Sequence, residues 1–181
     1  MRTTALAVRS IATLVLALGA LGCDDLPTQT AAVEVRRPRM AVADAPAPQL
    51  LVCPTQEQAS ARAVIGPEGG TLGARGTSIT IPAGVVPVPT QFELLVPVSN
   101  YMEVEIHAVG QSSYTFAQPA TITINYARCP GEAIPAYATL EGAYIESGTR
   151  RVLERMGGTS DKTGRKVTFT TGHLSGYAVA Y

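Results

Sequence analysis

From residue 63 onward the chain consists of short runs in which apolar and polar residues alternate, separated by Gly, Pro and Asn. In residues 102–108 every second residue is apolar, and the residues between them are Glu103, Glu105 and His107. A period of two is typical of a strand with one face on the core and the other in water, so these three side chains are predicted to be exposed. Other clear strands are predicted at residues 78–81, 92–98, 120–126, 151–155, 166–170 and 177–181. Short strands at this spacing predict an all-β fold, an antiparallel β-sandwich of about nine strands.

Residues 24 to about 60 differ from the later part of the chain in composition. They contain five of the 13 prolines and show neither a helical nor a strand period, which predicts a flexible tether. The only helical turn allowed by the pattern lies near residues 56–62. Residues 50–52, Leu-Leu-Val, are the one apolar patch, and they are expected to dock as a short edge strand if Cys53 pairs with Cys129.

The N-terminal segment has the pattern of an export signal. Arg2 and Arg9 flank an apolar run at residues 11–22 that is too short to span a bilayer. Residues 19–23, Gly-Ala-Leu-Gly-Cys, resemble the bacterial lipobox, in which the cysteine thiol receives a diacylglyceryl group before cleavage on its N-terminal side. The resemblance implies a lipoprotein that begins at Cys23 and is anchored by acyl chains. The alternatives are an ordinary secretory signal with a coincidental cysteine, or an uncleaved anchor.

This signal sets the predicted organisation of the chain. Residues 1–22 are the signal peptide, residues 23–60 are the lipidated cysteine and tether, and residues 61–181 are the folded domain. The domain is expected on the periplasmic or cell-surface side of a bacterial membrane, in the cell envelope. About 159 residues remain after the signal, enough for one domain with a core.

The charge balance argues against nucleic acid as a partner. The chain has 14 basic and 14 acidic residues, and loss of the signal with Arg2 and Arg9 leaves a net charge of −2. Phosphate-binding surfaces need clustered Lys and Arg on a folded face. The one basic cluster, residues 36–39, lies in the predicted tether, where we interpret it as solvated.

Lipidation of Cys23 would leave Cys53 and Cys129, an even pair in an oxidising compartment, and a disulfide is predicted. The closed loop of about 75 residues would contribute roughly 4 to 5 kcal/mol in the chain-entropy model. Zinc needs about four ligands, and His107 and His173 show no ligand spacing with either thiol. No metal and no cofactor are therefore predicted.

Three segments carry a family resemblance. Residues 65–72 (IGPEGGTL), 76–84 (GTSITIPAG) and 85–87 (VVP) resemble the start of a ZU-five domain, a module of zonula occludens proteins, Unc-five-type netrin receptors and ankyrins. The strand at 118–126 and the ending at 173–181 are similar to that family as well, so the resemblance covers residues 63–181. Gly69-Gly70 is expected to form a tight turn with positive φ. The resemblance implies a β-rich module used chiefly for interaction, and a fold alone does not determine function.

His173-Leu174-Ser175 is the one motif with a chemical hypothesis. Some ZU-five domains cleave themselves at His-Phe-Ser: the histidine activates the serine, which attacks the preceding carbonyl, and the ester hydrolyses. Leu174 replaces the phenylalanine here, although a related module of adhesion receptors uses His-Leu-Ser or His-Leu-Thr. The alternative is an ordinary turn before the last strand. Glu103 and Glu105 are a poor glycosidase pair, because such carboxylates face each other from different elements.

Together these features predict a membrane-anchored lipoprotein whose β-sandwich has a non-catalytic binding or structural role. Because exposed strand edges accept a further strand, a protein partner is the first expectation, and an envelope glycan is the second. A self-cleaving module with His173 and Ser175, and an accessory to an enzyme or secretion complex, are the competing hypotheses.

Overall fold

The computed structural model describes residues 47–136 and 138–181. The predicted signal peptide, Cys23 and most of the predicted tether lie outside the described residues. Within the described part nearly all regular secondary structure is strand, and the one helix is a single 3-10 turn at Gly131–Ala133. No helix in this part is long and apolar enough to cross a bilayer. The predicted all-β class is confirmed.

Thirteen strands form within these residues. They are β1 Val52–Thr55, β2 Ala59–Ile65, β3 Gly70–Ala74, β4 Thr77–Ile81, β5 Thr90–Val96, β6 Ser99–Tyr101, β7 Glu103–Ala108, β8 Thr115–Asn125, β9 Glu141–Ile145, β10 Val152–Gly157, β11 Thr159–Asp161, β12 Lys166–His173 and β13 Gly176–Ala180. The expected count of nine was too low, partly because β6 and β11 are only three residues long and too short to show a period.

Two antiparallel sheets enclose one core. A six-stranded sheet has the order β10-β9-β13-β7-β5-β2, a five-stranded sheet has the order β11-β12-β8-β4-β3, and β1 and β6 form a separate ribbon. Inward side chains alternate along the strands and are fully buried, among them Ile79, Phe92, Val104, Ile122 and Tyr177. Since neither sheet closes on itself, the architecture is the predicted β-sandwich.

The turn between β2 and β3 takes the chain from one sheet to the other, and it depends on one glycine. Gly69 has φ 72°, and its N–H donates to the carbonyl of Gly66 at 3.0 Å. A Cβ at Gly69 would lie 2.6 Å from the Ile81 oxygen and 2.7 Å from the Ala83 nitrogen, both of them backbone atoms. No other residue fits, so the predicted positive φ in the Gly69-Gly70 turn is confirmed at Gly69.

The folded chain begins before the predicted domain boundary at residue 61. Leu51 is fully buried, its N–H donates to Val179 O at 2.8 Å, and its carbonyl accepts from Met102 N–H at 3.0 Å. Leu50 forms a bridge with Ala180 in the last strand. The expected docking of residues 50–52 is confirmed. Burial of one leucine side chain contributes about 1.5 to 3 kcal/mol, which orders this segment despite its prolines.

The helical turn allowed near residues 56–62 is wrong. Residues from Ala59 onward form β2, which pairs with β5 over the whole run from Ala59 opposite Val96 to Ile65 opposite Thr90. The segment Ala-Ser-Ala-Arg-Ala-Val-Ile alternates between partly buried and exposed residues, a strand period that its small alanines disguise.

A disulfide joins Cys53 in β1 to Cys129 in the loop after β8, with the two Cα atoms 5.3 Å apart. Both cysteines are buried at 1% exposure. Arg128 reinforces this junction, because its Nη2 donates to Thr55 Oγ1 at 2.5 Å. The predicted Cys53–Cys129 pair is present and ties the first strand to a loop 76 residues further along the chain.

Candidate functional site

One surface of the molecule collects residues from four distant segments, and we call it the Arg150 surface. Two neighbouring cavities of about 280 and 470 Å³ share Tyr101 and Arg150 as walls. The remaining walls come from the first described residues, from the β1–β6 ribbon, from the β9–β10 turn and from the C-terminus. The residues used below are Leu50, Val52, Val98, Tyr101, Arg150 and Tyr181.

Arg150 is held in an uncommon backbone conformation. It lies in the β9–β10 turn, where its N–H donates to Glu146 O at 2.9 Å and Glu146 N–H donates to Arg151 O at 2.9 Å. Its φ is 59°, in the left-handed region that costs a non-glycine residue about 1 to 2 kcal/mol. Such strain persists only where surrounding contacts determine the conformation, and it is concentrated at functional sites.

Side-chain contacts hold Arg150 in place. Its Nε donates to Glu103 Oε1 at 2.8 Å, and its guanidinium carbon lies 5.7 Å from the centre of the Tyr101 ring. The hydrogen bond and the negative charge of Glu103 raise the pKa of Arg150. Among the described residues, the guanidinium bonds only to Glu103, through Nε, and its side chain is 36% exposed. The two terminal nitrogens are therefore available to a partner.

The prediction that Glu103 is solvated is wrong. Its side chain is only 6% exposed, although it lies on the outer face of the six-stranded sheet as the alternation in β7 indicated. Two neighbours bury it there: Ala178 stands opposite it on β13, and Arg150 reaches over from the β9–β10 turn. A buried carboxylate needs such a partner, because loss of one member of a buried pair leaves an uncompensated charge.

Large apolar side chains surround the Arg150–Tyr101 pair. Val52 is 53% exposed and Val98 is 58% exposed, although both belong to the walls of the two cavities. Tyr181 forms part of the larger cavity, and its hydroxyl donates to Gln49 Oε1 at 3.3 Å. Arginine and tyrosine are enriched at the centres of protein interfaces, and the two exposed valines add apolar area beside them.

Glu105, also predicted to be exposed, is half-buried. A small ion cluster lies on the same face of the sheet. His107 is exposed, as predicted, and its Nε2 lies 3.2 Å from Glu93 Oε2, which also accepts from Arg62 Nη2 at 2.9 Å. The three residues stand side by side on β2, β5 and β7. The hydrogen bond from Arg62 is the largest cause that lowers the pKa of Glu93.

The His173-Leu174-Ser175 motif forms the short connection between β12 and β13. Leu174 N–H donates to Tyr114 O at 3.0 Å, and the Ser175 carbonyl accepts from Ile106 N–H at 2.9 Å. In the described part of the chain the non-glycine residues with positive φ are all arginines, so this connection has no left-handed strain. Its backbone is held by ordinary hydrogen bonds to neighbouring segments.

The hydrogen bonds of His173 go to Thr171 and Tyr177. The Tyr177 hydroxyl donates to the His173 carbonyl and lies 3.3 Å from His173 Nδ1 and 2.8 Å from Thr171 Oγ1. Thr171 Oγ1 also donates to His173 O at 2.9 Å and accepts from His173 N–H at 3.2 Å. Burial raises the pKa of Tyr177 to about 12, so its hydroxyl remains protonated and available as a donor at neutral pH.

This network separates the two residues of the motif. Among the described residues, Ser175 makes no side-chain hydrogen bond with His173, whose ring instead packs edge-on to Tyr144 at 4.7 Å. In this arrangement the backbone and ring of His173 contact Thr171, Tyr177 and Tyr144. Thr171 and Tyr177 were missed by sequence reasoning, and their only signal is that hydroxyl residues flank the histidine at positions −2 and +4.

Sequence reasoning also missed Arg150 and Tyr101. Neither has a neighbour in sequence that suggests binding, and the contacts between Arg150, Tyr101 and Glu103 span 47 to 49 residues. The one local signal concerns Arg150, which lies two residues after Gly148 at a turn position where glycine or asparagine is usual.

Within residues 47–136 and 138–181, no group of three or more His, Cys, Asp or Glu side chains is arranged to hold a metal ion. A scan against protein-family models and a search of curated proteins both find no match. The resemblance to ZU-five domains therefore stays a prediction, and the case for function depends on the geometry of the Arg150 surface.

Proposed function

We propose that this protein is a lipid-anchored, extracytoplasmic lipoprotein whose β-sandwich binds a protein partner through the Arg150 surface, without catalytic turnover. The observation that carries the proposal is the fixed Arg150–Tyr101 pair between exposed Val52 and Val98. Hot spots of protein interfaces are enriched in arginine and tyrosine because both side chains offer a large contact area with polar groups at their tips.

The rigidity of the pair supports the same role. Arg150 is fixed at both ends, by its turn and by Glu103, so little side-chain entropy remains to be lost when a partner binds. Because Glu103 balances the charge of Arg150, long-range attraction contributes little. Recognition then depends on apolar contact with the two valines and on hydrogen bonds from the terminal guanidinium nitrogens to carbonyl or carboxylate oxygens.

The predicted anchor is compatible with this surface. The described chain starts at residue 47, and Gln49 and Leu50 are walls of the larger cavity. A coil of about 24 residues from Cys23 would have an end-to-end distance of roughly 27 Å. We propose that the lipid keeps the Arg150 surface at an average distance of this order from the membrane, where an envelope protein can reach it.

Site-specific crosslinking in cells tests the binding role. A photoreactive phenylalanine analogue replaces Val98 in one strain and Val88 in another, because Val88 is 67% exposed but is not a wall of either cavity. We expect a discrete protein adduct from position 98 and none from position 88. The analogue is also placed at position 52, in place of Val52. There Val98→Glu should abolish the adduct, and Val88→Glu should leave it unchanged.

Equal adducts from positions 98 and 88, or no adduct from either position 52 or 98, would contradict the binding proposal. An adduct whose mobility shifts after digestion of envelope polymer, and which yields no peptides from a second protein, would instead establish the glycan alternative. The anchor is tested separately by the mass of the N-terminal peptide: an unmodified N-terminus, or one at any residue other than Cys23, refutes lipidation and leaves the binding role untouched.

A further inference from the structure

A third cavity, whose lining shares no residue with the Arg150 surface, is formed by the loop after β8 and the β11–β12 turn. It has a volume of about 430 Å³, within the usual range for small-molecule sites. Its floor is apolar and buried: Tyr126 and Leu140 are 2% exposed and Ala138 is 4% exposed. Ile134 packs partly buried against the same core. We call this cavity the Tyr126 pocket.

Two cations belong to the walls of this apolar pocket. Lys162 and Arg165 come from the β11–β12 turn, whereas the floor comes from residues within 126–136 and 138–140. Arg165 has φ 50° and folds back so that its Nη2 donates to Cys129 O at 2.5 Å and its guanidinium lies 5.7 Å from the Tyr126 ring. The position of this cation is therefore fixed by the backbone beside the disulfide.

The acid of this turn, Asp161, forms no ion pair with either cation. Asp161 Oδ1 accepts from Gly164 N–H at 2.8 Å and so closes the turn. Within residues 47–136 and 138–181, no carboxylate forms an ion pair with Lys162 or Arg165. Apolar walls and unpaired cations together suit a ligand with an apolar body and one negative group.

We propose that the Tyr126 pocket binds a small amphipathic carboxylate, with its apolar body against Ile134, Ala138 and Leu140 and its anionic head toward Lys162 and Arg165. Lys162 contributes a mobile point charge, and Arg165 a fixed planar one. Since Cys129 anchors the loop that forms the floor, the site depends on the disulfide. The ligand is a bound molecule that the fold does not require, and its site is independent of the proposed protein partner.

The test uses the full-length chain with Cys23→Ser, which removes the predicted acyl chains as competitors. The probe is anilinonaphthalene sulfonate (ANS), which carries one negative charge and whose fluorescence rises in an apolar site. We expect saturable binding to a single site that octanoate displaces and octanol displaces at least about tenfold more weakly, because only octanoate has a charge for the cations. The chain has no Trp, so the signal has no indole background.

Matched variants locate the probe. Lys162→Gln should weaken ANS binding about fivefold, whereas Lys166→Gln, which removes the same charge from an exposed residue outside the pocket, should change it less than about twofold. Ala136→Phe fills the mouth of the pocket from an exposed position and should abolish binding without disturbing the core. Absence of saturable binding, equal displacement by octanol, or unchanged affinity in both Lys162→Gln and Ala136→Phe would overturn the proposal.

Discussion

Gly142 in β9 leaves no room for a side chain against Phe169 in β12, on the opposite sheet. A Cβ added at Gly142 would lie 2.3, 2.5 and 2.7 Å from Cδ1, Cγ and Cε1 of the Phe169 ring. The ring is 2% exposed and also packs on Tyr177, with centroids 5.7 Å apart. Gly142→Ala therefore requires either the ring or the backbone of β9, which is paired with a strand on each side, to move.

We expect this substitution to be costly. Real Cβ contacts are essentially never shorter than 3.0 Å, so the ring must shift by several tenths of an ångström inside a packed core. Overpacking of this kind usually costs 1 to 3 kcal/mol, and the buried backbone on both sides places Gly142→Ala near the upper end, at about 3 kcal/mol. For a domain of this size that loss lowers Tm by roughly 10 to 15 °C.

Urea and thermal unfolding of the Cys23→Ser chain, followed by circular dichroism, measure the effect. Gly172→Ala is the matched control, because nothing lies within 4 Å of its added Cβ, and we expect it within about 0.5 kcal/mol of the parent. Phe169→Leu should reduce the free-energy cost of the added methyl group. The loss in free energy of unfolding in the double variant should therefore be smaller than the sum of the two single losses by at least about 1 kcal/mol. A Gly142→Ala protein as stable as Gly172→Ala would refute the packing argument.

Three further predictions concern the disulfide, the surface ion cluster and the His173 connection. Cys53→Ala/Cys129→Ala should lower the free energy of unfolding by about 4 to 5 kcal/mol for a separation of 76 residues, and a urea titration that shows a loss below about 1 kcal/mol contradicts this. Because the folded-state pKa of Glu93 is lowered, its contribution to stability is complete above the unfolded pKa of about 4.3 and is lost as the pH falls through the lower folded value. The urea midpoint of the parent should therefore fall more steeply than that of Glu93→Gln between pH 5 and pH 3 (about one unit either side of that value), and parallel curves would exclude the cluster as the cause. Tyr177→Phe should cost about 1 to 2 kcal/mol, since His173 O keeps its bond from Thr171 while the histidine ring loses a partner. Intact mass should be one full-length species for both the parent and Ser175→Ala, and a fragment ending at Leu174 in the parent alone would establish self-cleavage.

Local pattern predicted most of the strands but not all of their limits. Alternation located β4, β5, β7 and β12, because successive side chains of a strand must point to opposite faces whatever the rest of the chain does. It placed the start of β8 at residue 120, whereas the strand begins at Thr115 and passes through Pro119. It also missed β2, where small alanines weaken the contrast between the faces.

The disulfide shows how far sequence reasoning reaches toward a site. Two cysteines remain once Cys23 is assigned to the anchor, so parity alone predicts the Cys53–Cys129 pair. The even number of cysteines does not say which segments the disulfide holds together. Only the tertiary structure shows that the disulfide fixes the loop that forms the floor of the Tyr126 pocket. Arg165 is hydrogen-bonded there to the Cys129 carbonyl.

The sequence by itself determined the all-β class and which face of a strand is apolar, because backbone geometry acts over a few positions. It also determined the pairing of the cysteines, because only two remain after Cys23. Only the tertiary structure decided that Glu103 is buried, that Arg150 meets Tyr101, and that His173 bonds to Tyr177 instead of Ser175. The physical reason is that alternation assigns a side chain to a face of a sheet. What covers that face is decided by segments that fold onto it from elsewhere in the chain.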